Sequence, residues 1–452
     1  MKDSAAFFLF TVALLSLCSL APAEDLLKFV DGSALHGELQ RMDVNQGVRW
    51  ENPDAKNPID FAPAHIDSIQ FAHADSLSLA PTCHLRFANG DDLFGSVNSL
   101  DQEHLGFSTW FGGAMTIPRA AVQSITFLSS NYTILYEGPY DMQGWVTGNN
   151  PPESWALRDG AFIATGPGAL GRDFKLTGSS TVEFDLAWNE LFEFVVDLYT
   201  DALDHLDYNT SSYLVGLTAS QVSLRRSGMT RGFVAKSFGD AAWTLPPGKN
   251  KIHVAIQSNK DEATLAVFID NVLIKRWTDP NGFTATGGGI LFVQAGMGGT
   301  GVKVSNIRVS QWTGRTEPET AAVVTNVDAI RLVNHDQADG KIMNIKDNQV
   351  SLALGGTVLQ VPLQRVTQIN FATPATTTPA NDPWNVRALF PGGGSLSFQL
   401  EKWNGQEVAG RSAIFGRLAF QPSAIRELEF NLDRPRPQPK VVTETEFEGL
   451  DE

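Results

Sequence analysis

PRAAVQSITF, residues 118–127, is the stretch on which the reading of this chain turns. Proline has no backbone N–H to give to a ladder, so Pro118 ends a strand. The next few residues fit one helical or 3₁₀ turn. The last ones alternate apolar and polar, as a short final strand does. The same ending recurs as PAHIDSIQF at 63–71, PLQRVTQINF at 362–371 and PSAIRELEF at 422–430. In each copy two apolar residues lie three apart: Ile66 and Ile69, Val122 and Ile125, Val366 and Ile369, Ile425 and Leu428. A phenylalanine follows two positions later, at Phe71, Phe127, Phe371 and Phe430. Four matches in register identify a repeat, and these positions read as core.

Working outward gives four units, at 24–72, 83–128, 327–372 and 385–431. The first opens KFVDGSALHGEL and the second RFANGDDLFGSV, each a strand, an Asp-Gly or Asn-Gly turn and a second strand. Gly37, Gly95 and Gly340 correspond, and Ser397 stands at that place in the fourth copy. A second hairpin turns at Gly112-Gly113, matched by Gly355-Gly356. Five short strands with one turn before the last resemble the Src-homology-three or Sm-like small-barrel class. Closure of such a barrel would remove the exposed edges of an isolated meander. Aligning the double glycines places Trp110 where the third copy has Ala353, which suggests an aromatic contact at a hairpin tip, for interdomain packing or for a ligand.

Between the second and third units lies a longer all-β stretch, 131–314. Gly144-Trp145 is followed by SWALRDGAF at 154–162, a strand–Asp-Gly–strand hairpin, and by GALGRDF at 168–174. In the strand 182–188, Phe184, Leu186 and Trp188 share one face; Glu183, Asp185 and Ala187 share the other. Ile252, Val254 and Ile256 alternate inward, as do Leu265, Val267 and Ile269. The region closes with GGGILFVQAG and VKVSNIRVSQW, ending at Trp312. In this order the motifs resemble the concanavalin-A-like, laminin-G-type jelly roll. Within that class they are most similar to the domain named for keto-disaccharide hydrolases. The resemblance implies a two-sheet sandwich whose last strand returns beside its first. Two segments of that family are missing: its Asn-Ser-Gly stretch, and its Trp-Asn, where this chain has Lys249-Asn250-Lys251-Ile252. The expected fold class is therefore all-β, a central jelly-roll sandwich flanked by two pairs of small barrels.

The candidate site residues come from this region. Glucanase-type jelly rolls carry three carboxylates on one strand. Here Glu183 and Asp185 are present and the third is absent. Glu193, Asp197 and Tyr199 are spaced to share one face of the next strand. If that strand and 182–188 lay in one sheet, the five residues would form an acidic and aromatic surface. Such a surface suits sugar hydroxyls, and jelly rolls of this kind often bind sugars on the concave face. The loop 197–207 has four acids, but its spacing is not that of a calcium loop. His205 and His253 have no Cys or His nearby in sequence, so no metal or other cofactor is expected.

Composition bounds the rest. The 452 residues include 40 Gly and 28 Phe, and the formal net charge is −16. That charge counts against nucleic acid and anionic membranes as partners. Lys2, an apolar run over 5–20 and Ala21-Pro22-Ala23 form a secretory signal, so the mature chain is expected to start near Glu24. The protein is expected to be exported to the periplasm, cell surface or medium of a bacterium, with no membrane span after cleavage. Only Cys83 then remains, so no internal disulfide can form. The Pro-rich and then acidic stretch 432–452 reads as a flexible tail. The functional expectation is a non-catalytic protein that recognises a polysaccharide or glycan, with envelope proteins as further partners. A divergent glycoside hydrolase and a purely structural envelope scaffold are the alternatives.

Overall fold

A computed structural model describes residues 24–72, 81–128, 132–148, 154–189, 191–228, 236–270, 272–296, 301–312, 327–334, 336–372 and 382–432. The 1–23 segment read as a secretory signal, the 433–452 stretch and most of the linkers lie outside the described residues. Within them the protein is all-β: the only helical pieces are four single 3₁₀ turns, at Pro63–His65, Arg119–Ala121, Leu363–Arg365 and Pro422–Ala424. Each falls where the repeat endings place a turn. No described helix is long and apolar enough to cross a membrane.

Units one, two and four are five-stranded ladders, and unit three has the same layout with its second strand broken at Gly340 into Gln337–Asp339 and Lys341–Lys346. In the first, Asp25–Phe29 pairs with Ala34–Asp43 and with Ile66–Gln70. Ala34–Asp43 continues to Gly47–Glu51, and that strand to Ile59–Phe61. The fourth strand makes no backbone pairing to the fifth among the described residues, so hydrogen bonding does not close the unit. The edge problem is solved between units instead. The last strand of unit one pairs with that of unit four, Ile69 facing Leu428. The last strands of units two and three pair likewise, Ile125 facing Ile369. The second strands of units two and four meet at Asp92 and Ser395. The units thus stand in the spatial order three, two, four, one.

To the expected order of pair, sandwich, pair, this arrangement adds that the two pairs join in one row. Unit one pairs with four and not with two, and the sandwich is inserted between units two and three, which pair with each other. The repeats share one hydrophobic core: Leu27, Trp50, Phe87, Phe107, Ile342, Val386 and Phe398 belong to a single cluster. Phe71 stacks on Trp403 with ring centroids 4.8 Å apart, joining units one and four. Phe111 stacks on Phe390 at 3.9 Å, joining units two and four. Units one and three share a further device. Asp25 accepts from the backbone N–H groups of Leu39 and Ala72. Asp328, at the same place, accepts from Ile342 and Ala372.

The central region is a sandwich. One sheet runs Trp155–Arg158, Ala161–Ala164, Val302–Trp312, Ser179–Trp188, Lys251–Asn259, Thr264–Ile269, Val272–Thr278, with Thr133–Gly138 also on Val302–Trp312. The first strand and the last thus lie side by side, as the resemblance implies. The other sheet runs Trp145–Thr147, Gly168–Asp173, Gly289–Gln294, Glu193–Thr200, Tyr213–Thr218, Gln221–Arg226, Lys236–Ala242. Phe184, Phe194 and Phe292 meet between the sheets, Phe184 lying 5.9 Å from Phe194 and 5.3 Å from Phe292.

Candidate functional site

The five carboxylate and tyrosine candidates do not share a face. Glu183 and Asp185 sit in the eight-stranded sheet, and Glu193, Asp197 and Tyr199 sit in the seven-stranded one. Since Phe184 and Phe194 both point into the core, the alternate side chains of the two strands point to opposite outer surfaces. The combined acidic and aromatic surface expected from the sequence is not formed.

Tyr199 is a second correction. A register shift between Leu198 and Thr200 inserts a bulge, and Tyr199 takes φ +58°. A bulge re-aims a side chain, here from the outer surface into the core. The ring is fully buried beneath Phe283 and Lys260. Its hydroxyl meets Ser180 Oγ at 2.8 Å and Ser258 Oγ at 2.5 Å on the opposite sheet, and donates to the Gly178 carbonyl. Burial pushes the phenol up to about 12. Tyr199 ties the sheets together and offers no platform to a ligand.

Asp197 does face outward, but it is covered. The chain after Thr200 folds back over this end of the sheet. Leu206 packs on Ala169, Leu291 and Val293, and Leu203 lies against Gly171 and Gly289, where any side chain would collide with it. Asp197 has no exposed surface, and among the described residues neither carboxylate oxygen has a hydrogen-bond partner. Burial raises its pKa to about 7, softened by the nearby Ser212 and Thr200 hydroxyls. Those hydroxyls are engaged elsewhere, Ser212 with Ser227 Oγ at 2.6 Å and Thr200 with Ala202. No group of three metal-binding side chains occurs among the described residues.

Glu183 and Asp185 belong to an ionic strip on the outer face of the eight-stranded sheet. Asp185 accepts from His253 Nδ1 at 2.9 Å, Lys251 Nζ at 2.7 Å and Asn306 Nδ2 at 2.9 Å. Burial alone would raise its pKa, but these partners outweigh burial and hold the carboxyl well below the usual range. His253 is raised: burial opposes its charge, and Asp185 and then Glu183 overcome that. Arg308 lies 3.8 Å from Glu183 and 3.1 Å from Glu137. Glu137 in turn accepts from the backbone N–H of Gly392, in the first turn of unit four. Gly393 packs so closely on Arg308 and Phe94 that a Cβ there would lie 2.7 Å from Arg308 Nη1. At the far end of the strip Asp159 reaches His36 of unit one, 3.3 Å away. This surface is therefore the docking face between the sandwich and the repeat row.

What stays open is the remainder of the seven-stranded sheet's outer face. Val195, Gly216, Ser223 and Asp240 follow one another across four adjacent strands by register. Beside them lie Glu193, Thr218, Gln221 and Arg225. Gly216 and Ser223 make a recess, since a Cβ on Gly216 would meet Ser223 Oγ at 2.6 Å. Glu193, Gln221, Arg225 and Asp240 are exposed, and Gln221 Nε2 donates to Asp240 at 2.7 Å. The sequence marked only Glu193 on this shelf. Arg225, Gln221 and Asp240 escaped notice because only sheet order sets them beside it.

Trp110 is half-buried in a three-residue hairpin loop closed by Thr109 and Gly113. The third unit's hairpin closes at Leu354 and Thr357 around Gly355-Gly356. Trp110 therefore has no counterpart at Ala353. The packing between units at this tip is made by its neighbour Phe111.

No protein-family model matches the chain, and no curated protein matches it. Among solved structures it is similar to a carbohydrate-binding module from Bacillus subtilis, at 15% identity and TM-score 0.24, covering 37% of this chain and 92% of that one. It is also similar to a protein of unknown function with a galectin-like fold from Bacillus subtilis, at 15% and 0.30, covering 40% and 98%. A legume lectin-like domain from Entamoeba histolytica matches at 10% and 0.33, covering 39% and 97%. Likeness of this degree says nothing of what this chain binds.

Proposed function

We propose that this is an exported, non-catalytic carbohydrate-recognition protein of the bacterial envelope, in which the repeat row is a rigid mount for the sandwich. One observation carries the reading: the sandwich docks through one sheet and leaves open the part of the other's outer face that the chain after Thr200 does not cover. That open shelf offers a small-residue floor flanked by Glu193, Gln221, Arg225 and Asp240. A sugar hydroxyl both donates and accepts, so paired acceptors and donors over a recess suit it. Glu183 and Asp185 are committed to cations and to docking, which speaks against a hydrolase that uses them.

A glycan array probed with the full chain tests this. Binding to some polysaccharide should fall at least tenfold in Arg225→Ala and in Gly216→Val. It should stay unchanged in Glu183→Gln. No binding above background across a broad panel would sink the proposal.

A further inference from the structure

We propose that unit three is a dimerisation surface: a second copy of this chain joins through its own unit three, so that two rows of four units become one row of eight. The surface is the free end of the row, away from the open shelf, and does not depend on the reading of that shelf.

The contact between units two and four supplies the pattern. One backbone hydrogen bond marks the same place in every unit: Phe29 donates to Ser33, Phe87 to Asp91, Leu332 to Asp336 and Phe390 to Gly394. Asp92 and Ser395, which face each other across the junction, are therefore corresponding residues. The ring contacts are reciprocal too. Phe111, in the hairpin tip of unit two, stacks on Phe390 of unit four at 3.9 Å. Phe415, in the hairpin tip of unit four, meets Phe87 of unit two at 5.6 Å. Corresponding surfaces on both sides mark a two-fold contact, the kind that two identical partners can make.

Units one and three stand at the two ends of the row, where this face meets no other unit. In unit one the face is occupied. Phe29 packs on its own Phe61 at 5.1 Å, the hairpin tip is the polar stretch 52–58, and His36 meets Asp159 of the sandwich. In unit three the face is apolar and open. Leu354 closes the hairpin tip with Thr357, and Leu359 sits opposite Leu352 as Met115 sits opposite Phe107 in unit two. Met115 and Phe111 pack against the shared core. Leu359 has no such cover: it is 41% exposed, and Val333, Leu354 and Val358 are 37%, 42% and 53% exposed. Of the eleven exposed large apolar side chains among the described residues, four are thus at one end of one unit. Clustering of that kind marks an interaction surface. The sandwich docks on the other three units, at His36 in one, Gly392 in four and Phe94 in two.

Charge sets the condition for pairing. At the junction of units two and four, Asp91 accepts from the backbone N–H of Ser397 at 2.9 Å. Asp336 stands at the place of Asp91, and Asp339 follows Gln337 by two residues as Ser397 follows Ser395. In a two-fold dimer, Asp336 of each copy faces Asp339 of the other. Apolar burial holds such a dimer together and these carboxylates oppose it, so salt, which screens them, tightens it.

Sedimentation velocity of the full chain over a range of concentrations tests this. The wild type should pass from monomer to dimer, and the dimer should be tighter at high sodium chloride than at low. Leu354→Lys and Leu359→Lys should each weaken it at least tenfold. Asp336→Asn should strengthen it at low salt, and Val272→Lys, on the sandwich, should leave it unchanged. Cross-linking tests the register. Gln337 holds the place of Asp92 and Ser395, so Gln337→Cys should give a covalent dimer on mild oxidation. Lys346→Cys should not, nor should the wild type, whose Cys83 is buried. The proposal is overturned if the chain stays monomeric up to its solubility limit in both salts. A dimer that survives Leu354→Lys and Leu359→Lys, or one that Val272→Lys dissociates, would overturn it too. So would growth past the dimer, because a two-fold contact closes. If Leu359→Lys does not fold, Val358→Lys carries the same comparison.

Discussion

Asp197→Asn is the substitution that most directly tests how the sandwich is put together. The carboxylate is fully buried under the 201–212 segment, and both its oxygens lack partners among the described residues. Its pKa rises from 3.8 to about 7 in the folded protein. A shift of that size corresponds to about 4 kcal/mol that the folded state loses relative to the unfolded chain once the group must ionise. The sign follows from proton binding. Between pH 4 and pH 7 the folded state holds the Asp197 proton more tightly than the unfolded state. The stability linked to that proton is fully present below pH 4 and is lost as pH rises through 7. Asparagine has nearly the same shape and does not ionise. The variant should therefore match the wild type at pH 4 and exceed it by about 4 kcal/mol at pH 8, where the sandwich should melt roughly 10 °C higher. Differential scanning calorimetry at the two pH values measures this. A variant that melts lower than the wild type at pH 8 would refute the reasoning, because the carboxylate would then have a partner, such as a bound cation, that asparagine cannot satisfy. A gain of the same size at both pH values would refute the linkage.

Other perturbations separate mounting from recognition. Tyr199→Phe removes a buried hydroxyl that serves Ser180, Ser258 and Gly178. It should cost about 1–3 kcal/mol in urea unfolding and leave glycan binding unchanged. Arg308→Met strands Glu137 and Glu183 at the docking face. It should cost about 3–5 kcal/mol and expose the junction to limited proteolysis, with both bodies still folded. Phe111→Ala removes the ring stacked on Phe390 and should cost about 3 kcal/mol in thermal unfolding. Trp110→Ala should cost under about 1 kcal/mol, and equal losses from the two would contradict the assignment of packing to Phe111.

Much of the fold is legible in the sequence, and each legible part is local. The four endings at Phe71, Phe127, Phe371 and Phe430 mark the repeats because a proline, a 3₁₀ turn and two apolar positions three apart are set by short-range chemistry. The alternation of Phe184, Leu186 and Trp188 identifies the core side of its strand for the same reason. Glycine and Asp-Gly turns mark the hairpins.

The candidate site depended on what lies far apart in the chain. Period-two alternation orients Glu193 and Asp197 correctly, but it cannot say which sheet a strand joins. It also fails at Tyr199, where one extra residue reverses the direction of the side chain. Whether Asp197 is open depends on where Leu203 and Leu206 settle. Arg225, Gln221 and Asp240 become neighbours of Glu193 only through strand order.

The sequence by itself determined the repeat, the all-β class, the core faces of the strands and the place of the insertion, because each rests on contacts within a few residues. Only the tertiary structure decided that unit one pairs with four and two with three. All four units end in similar edge strands, so local chemistry cannot choose among partners, and long-range packing such as Phe71 on Trp403 and Phe111 on Phe390 makes the choice. The same packing turns one face of the sandwich toward the repeat row and leaves exposed the part of the other that the 201–212 segment does not cover.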